Sequence, residues 1–159
     1  MNIIPTHLLD RSTVQQFFIT HWGSPQMVVS TGLYDCSELD SFAAVQGNGE
    51  IAGLITFVIR GEECEIVSLD SVIENQGVGS ALLQQAEAFA AQHGCVTIRL
   101  ITTNDNLHAL RFYQKRGYQI VKVFPNAVEK ARQLKPSIPL VSSDGIPIRD
   151  ELLLVKQLL

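Results

Sequence analysis

Cysteines are scarce in this chain, and their number and spacing argue against a fold held by disulfides. The 159 residues contain three cysteines, Cys36, Cys64 and Cys95, and no Cys-x-x-Cys pair. An odd number of widely spaced thiols is typical of reduced cysteines in a cytoplasmic protein. We therefore expect a cytoplasmic protein without structural disulfides.

Long apolar runs, basic clusters and metal-binding patterns are also lacking. The most apolar stretch, Ile51–Ile59, is too short to span a bilayer. Residues 1–7 show no basic stretch before an apolar run, so we expect no signal peptide. The formal net charge is −4 and no basic run exceeds two residues, which disfavours nucleic acid and anionic membranes as partners. The spacing of His7, His21 and His93 fits no metal site, so we expect none.

Apolar residues, by contrast, make up 46% of the chain, which is enough for a sizeable core. No repeat, low-complexity tract or long linker interrupts it, so we expect a single domain over residues 1–159. The fold class is α/β (α+β), with a mixed sheet of six or seven strands flanked by helices. Four helices are predicted: one capped by Ser12 or Asp10 and running to about Thr20, one from Gly79 to Gly94, one that Asn106 can cap, and one over residues 127–134.

The predicted strands form a meander that leads into a parallel pair. Three antiparallel strands are expected over residues 41–45, 51–60 and 65–72, and the last of these should pair in parallel with 95–102 through a crossover helix. The other predicted strands cover residues 27–33, 118–123 and 151–158, the last as an edge or hairpin strand after a turn-rich crossing over 135–150.

The turn between the parallel strands contains two glycines, Gly77 and Gly79, and opens the crossover helix. Without side chains at these positions the backbone N–H groups can surround a phosphate, and the helix dipole favours the negative charge. A nucleoside-triphosphate loop would need Lys and then Ser or Thr after the last glycine, and a dinucleotide loop would need a small residue where Leu82 stands. Taken alone, the turn predicts a phosphorylated carrier and a ligand-free tight turn equally well.

A second pattern follows the next strand and decides between these alternatives. The spacing of Asn106, Ala109, Tyr113, Gly117 and Tyr118, after a Gly-x-Gly turn and one strand, resembles the GCN5-related N-acetyltransferase (GNAT) superfamily. The resemblance covers about residues 28–123 and is strongest over 65–118. It implies a strongly bent sheet with a V-shaped opening between strands 64–72 and 95–102, where the arm of acetyl-CoA enters.

The resemblance also implies which residues bind acetyl-CoA, the expected co-substrate. The sequence departs from the family pattern at Glu74, where Gln or Arg is usual, and at Gln76, where a basic residue is usual. The implied cofactor-binding residues are Leu69, Ser71, Val72, Gln76, Gly77, Val78, Gly79, Ser80, Ala81, Asn104, Asn106, Ala109, Phe112 and Tyr113.

Acetyl transfer to an amine requires two proton transfers, and three residues are candidates for them. The resemblance assigns protonation of the departing thiolate to Tyr113; packing beside Phe112 is the alternative. An alkyl ammonium has a pKa of about 10.4, and a carboxylate can take its proton, directly or through a water. The resemblance favours Glu65 as this base, because its position early on the strand is where family members carry theirs; Asp70 near the strand end is the competitor, and an ordinary exposed strand residue is the alternative for Glu65.

The predicted function is therefore an acetyl-CoA-dependent N-acetyltransferase acting on the primary amine of a small molecule, by direct transfer in a ternary complex. One alternative is a non-catalytic module of the same fold that senses acyl-CoA. A homodimer is left open, and no motif identifies the amine acceptor. Acidic side chains that could collect around a cationic amine, or simply be scattered on the surface, are Asp35, Asp144, Asp150 and Glu151.

Overall fold

A computed structural model of the protein describes residues 1–29, 32–73 and 76–158. Within these residues the chain forms nine strands and four α-helices. In chain order they are β1 (Asn2–Pro5), α1 (Arg11–Trp22), β2 (Gln26–Val29), β3 (Gly32–Asp35), β4 (Asp40–Val45), β5 (Ile51–Arg60), β6 (Glu63–Ser71), α2 (Val78–Gln92), β7 (Thr97–Thr103), α3 (Leu107–Gln114), β8 (Gln119–Phe124), α4 (Ala127–Leu134) and β9 (Glu151–Gln157). The departure noted at Glu74 lies outside the described residues.

The described strands confirm the expected α+β class with a mixed sheet. Seven of them form one sheet in the order β1-β4-β5-β6-β7-β9-β8, and β2 and β3 form a separate pair. The chain divides into two compact units, the first comprising residues 1–27 and 34–98 and the second built mainly from residues 99–157. The single domain, the strong bend and the V-shaped opening stay predictions.

The first unit contains the predicted meander. β4 pairs antiparallel with β5, and β5 pairs antiparallel with β6, as expected. β5 is buried over most of its length because its residues are apolar on both faces. Three phenylalanines, Phe42, Phe57 and Phe89, lie with ring centroids 5.4 to 5.9 Å apart. The apolar stripe of α2 therefore packs on this sheet through the phenylalanine that the helical period predicted.

Helix α1 also belongs to the first unit and runs two residues further than predicted. Its buried residues, Val14, Phe17 and Phe18, are the predicted apolar face. The helix ends at Trp22, where the N–H of Gly23 donates to the carbonyl of Ile19 at 2.9 Å. The two extra residues bring an aromatic side chain, that of Trp22, to the end of the helix.

The second unit is organised around a hairpin and a long crossing. β8 and β9 pair antiparallel, which confirms the hairpin expected for the C-terminal strand. The expected edge position is wrong, because β9 lies between β7 and β8 in the sheet order. Successive residues Leu153 and Leu154 point to opposite faces and are both buried, as in an interior strand.

Two further expectations about strands are corrected. The predicted strand over residues 27–33 is two strands, β2 and β3, while residues 30 and 31 lie outside the described part of the chain. β1 was not predicted, because four residues ending in proline carry little periodicity; it pairs antiparallel with β4.

All three cysteines are free and buried, which confirms the expectation that they form no disulfide. No helix of the described residues is long and apolar enough to cross a membrane.

Candidate active site

The glycine turn begins α2 in the geometry that an anion-binding helix end requires. Gly77 is the N-cap, with φ 73° and ψ 12°, a left-handed conformation that disfavours any side chain. The first intrahelical hydrogen bond here runs from the N–H of Ala81 to the carbonyl of Gly77 at 3.0 Å. The N–H groups of the first turn have no acceptor within the helix. Among the described residues of that turn there is no acidic side chain to compete with an anion.

A second glycine, Gly53 on β5, lets the end of β6 and the start of α2 approach closely. A Cβ added at Gly53 would lie 2.7 Å from Cγ1 of Val78 and 2.8 Å from the carbonyl oxygen of Asp70. Cγ1 of Val78 belongs to the first residue of α2, and that carbonyl belongs to backbone that cannot rotate away. Gly53 therefore sets the separation between the strand end and the helix N-terminus.

Gly53→Ala should weaken CoA binding about tenfold and destabilise the protein by about 1–3 kcal/mol, because the overpacked contact must push α2 or β6 outward. Calorimetric titration with CoA and denaturant unfolding measure the two effects. Gly47→Ala is the matched control, since a Cβ there meets nothing within 4 Å among the described residues. Equal CoA affinity in the two variants would contradict the assigned role of Gly53.

Asp70, near the end of β6, is the candidate base with the most unusual surroundings. The indole N–H of Trp22 donates to its Oδ1 at 3.0 Å. Its Oδ2 is buried and has no hydrogen-bond partner among the described residues. Burial raises the pKa of Asp70 from 3.8 to about 6, against the lowering effects of the Trp22 hydrogen bond and of His21. The carboxyl can therefore accept a proton near neutral pH.

Glu65, the other candidate base, has a different environment. Its side chain is almost fully buried, with 2% of the residue exposed. Nη1 of Arg60 donates to Oε1 of Glu65 at 3.1 Å, and Nη2 of Arg60 donates to the hydroxyl of Tyr34 at 2.7 Å. The alternative reading, in which Glu65 is an ordinary exposed strand residue, is therefore wrong. Its contacts are those of an ion pair that joins β5, β6 and β3.

The second unit holds the residues of the second motif. Asn106 begins α3, and its side-chain oxygen accepts from the N–H of Ala109 at 3.2 Å, so one of its two predicted roles, capping the helix, is confirmed. Tyr113 is 6% exposed, and its ring makes edge contacts with Phe112 and Tyr118 at centroid distances of 5.1 and 5.3 Å. The ring is thus packed, as the alternative reading of Tyr113 requires, and the role of its hydroxyl stays a prediction.

Asn104, which is predicted to bind the cofactor, is bonded to the crossing segment. Its Oδ1 accepts from the N–H groups of Arg149 and Asp150 at 3.0 and 2.9 Å, and its Nδ2 donates to the carbonyl of Pro147 at 2.9 Å. Oδ1 of Asp150 accepts from the N–H of Asn126 at 2.8 Å, and the Arg149 guanidinium lowers the pKa of Asp150. These bonds give both Asn104 and Asp150 a structural task within the second unit.

The remaining predicted residues lie near the turn or on α3. The N–H of Val72 donates to the carbonyl of Ala52 at 2.8 Å, so this amide is already used by the sheet. The hydroxyl of Ser71 donates to the carbonyl of Ile73 at 2.8 Å. The exposed or partly exposed members of the predicted set are Leu69, Ser71, Val72, Gln76, Gly77, Gly79, Ser80, Ala81, Asn104, Asn106, Ala109 and Phe112.

The first unit therefore contains Asp70, Trp22, Gly53 and the glycine turn, while Asn106 and Tyr113 lie in the second unit.

Sequence reasoning missed the role of Gly53 and the hydrogen bond from Trp22 to Asp70. An isolated glycine in an otherwise apolar strand is a known signal of close backbone approach and could have indicated the first. The second had no signal, because 48 residues separate the partners.

Comparison with known proteins adds a family relationship. The model of the Acetyltransferase (GNAT) family matches residues 11–118. The uncharacterized protein YdhI of Bacillus subtilis (strain 168) is 58% identical over 156 residues, which cover 98% of each chain. A GNAT family acetyltransferase from Elizabethkingia anophelis with acetyl-CoA bound shares 20% identity at a TM-score of 0.67, covering 98% of this chain and 97% of that one. An aminoglycoside 6'-N-acetyltransferase complexed with coenzyme A shares 18% identity at a TM-score of 0.68, covering 100% and 98%.

Proposed function

The chain belongs to the GNAT acetyltransferase family, and on that premise we propose that it transfers an acetyl group from acetyl-CoA to a primary amine of a small molecule. The observation that carries the proposal is the Asp70 carboxyl, with one oxygen held by Trp22 and the other buried without a partner among the described residues. A buried carboxyl with this arrangement and a raised pKa is a frequent property of catalytic acid–base groups.

The glycine turn fits the diphosphate of acetyl-CoA. The left-handed Gly77, the dipole of the helix that follows it and the lack of acidic side chains in the described first turn all favour an anion there. The backbone N–H groups at the start of α2, from Val78 to Ser80, would hold the diphosphate, while that of Ala81 donates to the carbonyl of Gly77. Acetyl-CoA supplies the thioester that carries the acetyl group. Solved structures of similar fold contain acetyl-CoA or CoA, which supports the same co-substrate here.

Asp70 is the base that the contacts favour over Glu65. Its backbone carbonyl lies beside the start of α2 at Gly53, so the end of the strand that bears this carboxyl is close to the start of that helix within one unit. Its Oδ2 can take the amine proton directly or through a water. Glu65 is bonded to Arg60, so its carboxylate already has a cationic partner, whereas Oδ2 of Asp70 has no partner among the described residues. The proposed transfer is direct, in a ternary complex in which the base acts on the amine and no covalent acetyl-enzyme forms.

Tyr113 is proposed to protonate the departing thiolate, and Tyr113→Phe tests this role. The variant keeps the ring contacts with Phe112 and Tyr118 and removes only the hydroxyl. Turnover should fall about ten- to a thousandfold, because general acid catalysis contributes on this scale, with little change in melting temperature. Steady-state thiol release and thermal unfolding measure the two quantities. Turnover equal to that of the unmodified protein would return Tyr113 to a packing role.

Thiol release from acetyl-CoA, measured with a panel of amines, tests the proposed function. The panel comprises an aminoglycoside, spermidine, free lysine and a short peptide with a free N-terminal amine. Release with at least one of them, together with thermal stabilisation by CoA, is the expected result. Stabilisation by CoA with turnover of no amine would favour the acyl-CoA sensor instead. The absence of both thiol release and stabilisation by CoA would reject acetyl-CoA as the co-substrate.

A further inference from the structure

The hydrogen bond between Trp22 and Asp70 connects the end of α1 to the end of β6. Trp22 is the last residue of α1, and its ring lies 5.1 Å from that of Phe18, which is fully buried. The indole is thus supported by the core on one side. Its N–H reaches across to Oδ1 of Asp70 at 3.0 Å. The helix end therefore determines the rotation of the carboxyl group.

We propose that Trp22 is a positioning residue for Asp70, whose indole N–H holds Oδ1 and thereby directs Oδ2 to receive the proton of the acceptor amine. The inference rests on the proposed function in one respect, the role of Asp70 as base. An indole nitrogen only donates, so it cannot take the proton itself or compete with Oδ2 for it. A donor to the charged form also favours the carboxylate, which offsets part of the effect of burial.

Two other titratable groups face Asp70 and must be separated from the effect of Trp22. His21, also on α1, lowers the pKa of Asp70, and does so less than the Trp22 hydrogen bond. Cys36, in the short turn over residues 36–38, interacts with Asp70, but burial raises the pKa of its thiol to about 11, so it is uncharged near neutral pH. From β5, the residue opposite Asp70 is the apolar Leu54.

Trp22→Phe tests the inference because it keeps an aromatic ring against Phe18 and removes the donor. The readout is the pKa of Asp70, followed by the ¹³C shift of its carboxyl carbon and assigned by the loss of that signal in Asp70→Asn. This pKa should be about 6 in the unmodified protein. It should rise by about one unit in Trp22→Phe, as expected for losing a hydrogen bond to a charged group. His21→Gln is the matched control on the adjacent residue and should shift it less.

The acidic limb of the pH–rate profile gives a second readout, with whichever amine of the panel is turned over. Its midpoint should move upward by the same amount in Trp22→Phe, and the rate at high pH should fall severalfold because Oδ2 is no longer directed towards the amine. An unchanged pKa in Trp22→Phe, when Asp70→Asn removes the acidic limb, would overturn this inference alone. An acidic limb that persists in Asp70→Asn would overturn the base assignment of the proposed function, and the positioning role with it.

Discussion

Replacing Gly79 with aspartate should abolish acetyl-CoA binding and leave the fold intact. Gly79 is the second residue of α2, and its φ is negative, as in a regular helix. An aspartate therefore fits the backbone, and a carboxylate in the first turn of a helix is favourable to the dipole. The same carboxylate occupies the place proposed for the diphosphate. Charge repulsion and bulk together should lower the affinity about a hundredfold or more.

Calorimetric titration with CoA measures that loss, and circular dichroism with thermal unfolding verifies the fold. Gly79→Asn is the matched control because it adds nearly the same volume without the charge. Its affinity should fall between those of the unmodified protein and Gly79→Asp. A folded Gly79→Asp protein that binds CoA as tightly as before would reject the glycine turn as the diphosphate site.

Asp70→Asn should lower turnover by about a hundred- to ten-thousandfold, the range of general base catalysis, with little change in CoA affinity. The amide still accepts from the Trp22 indole through its oxygen, so the end of β6 should keep its position. It cannot take a proton, so the acidic limb of the pH–rate profile should disappear. Steady-state thiol release across pH, with CoA titration as the binding control, measures both effects.

The raised pKa of Asp70 also predicts a pH-dependent difference in stability. The unfolded carboxyl titrates at 3.8 and the folded one at about 6, so between these values the folded state binds more protons. Stability contributed by this group is therefore present below the lower value and lost as pH rises through the higher one. Asp70→Asn does not titrate. Between pH 3.5 and pH 7 the unmodified protein should therefore lose about 3 kcal/mol of unfolding free energy that the variant does not lose, for a pKa shift of about two units. Measuring the unfolding free energy of both proteins at the two pH values checks this difference.

Glu65→Gln is the matched comparison on the same strand. It keeps the shape of the side chain but weakens the ion pair with Arg60, so we expect a loss of stability of about 1–3 kcal/mol. Its pH–rate profile should keep the acidic limb. If Glu65→Gln removes the limb and Asp70→Asn does not, the base is Glu65. If neither variant changes the profile, the rate arises mainly from positioning of thioester and amine.

Elements with a strong local signal were predicted closely. The apolar run of β5 and the helix α4 have the predicted bounds, and Asn106 caps α3 as its position before an apolar helix indicated. The glycine turn and the second motif were recognisable because they depend on residue type at fixed spacing. Such features are local: their hydrogen bonds join residues a few positions apart, so both partners lie within one short segment of the sequence.

Elements whose identity depends on distant partners were predicted poorly. β1 is short and is stabilised by its pairing with β4, and β9 is an interior strand because β7 and β8 lie on either side of it in the sheet order. Nothing in the residues of β9 separates an interior strand from one edge of a hairpin. The pairing of strands is a long-range choice, and local periodicity carries no information about it.

The sequence by itself determined the glycine turn, the capped helix α3 and the family to which the chain belongs, because these depend on short-range patterns of residue type. Only the tertiary structure decided the character of the two carboxylates. Glu65 and Asp70 lie on the same strand, yet one faces Arg60 and the other faces the Trp22 indole with an oxygen left unpaired among the described residues. Solvation and hydrogen bonding set the proton affinity of a carboxylate, and both depend on which distant residues surround it.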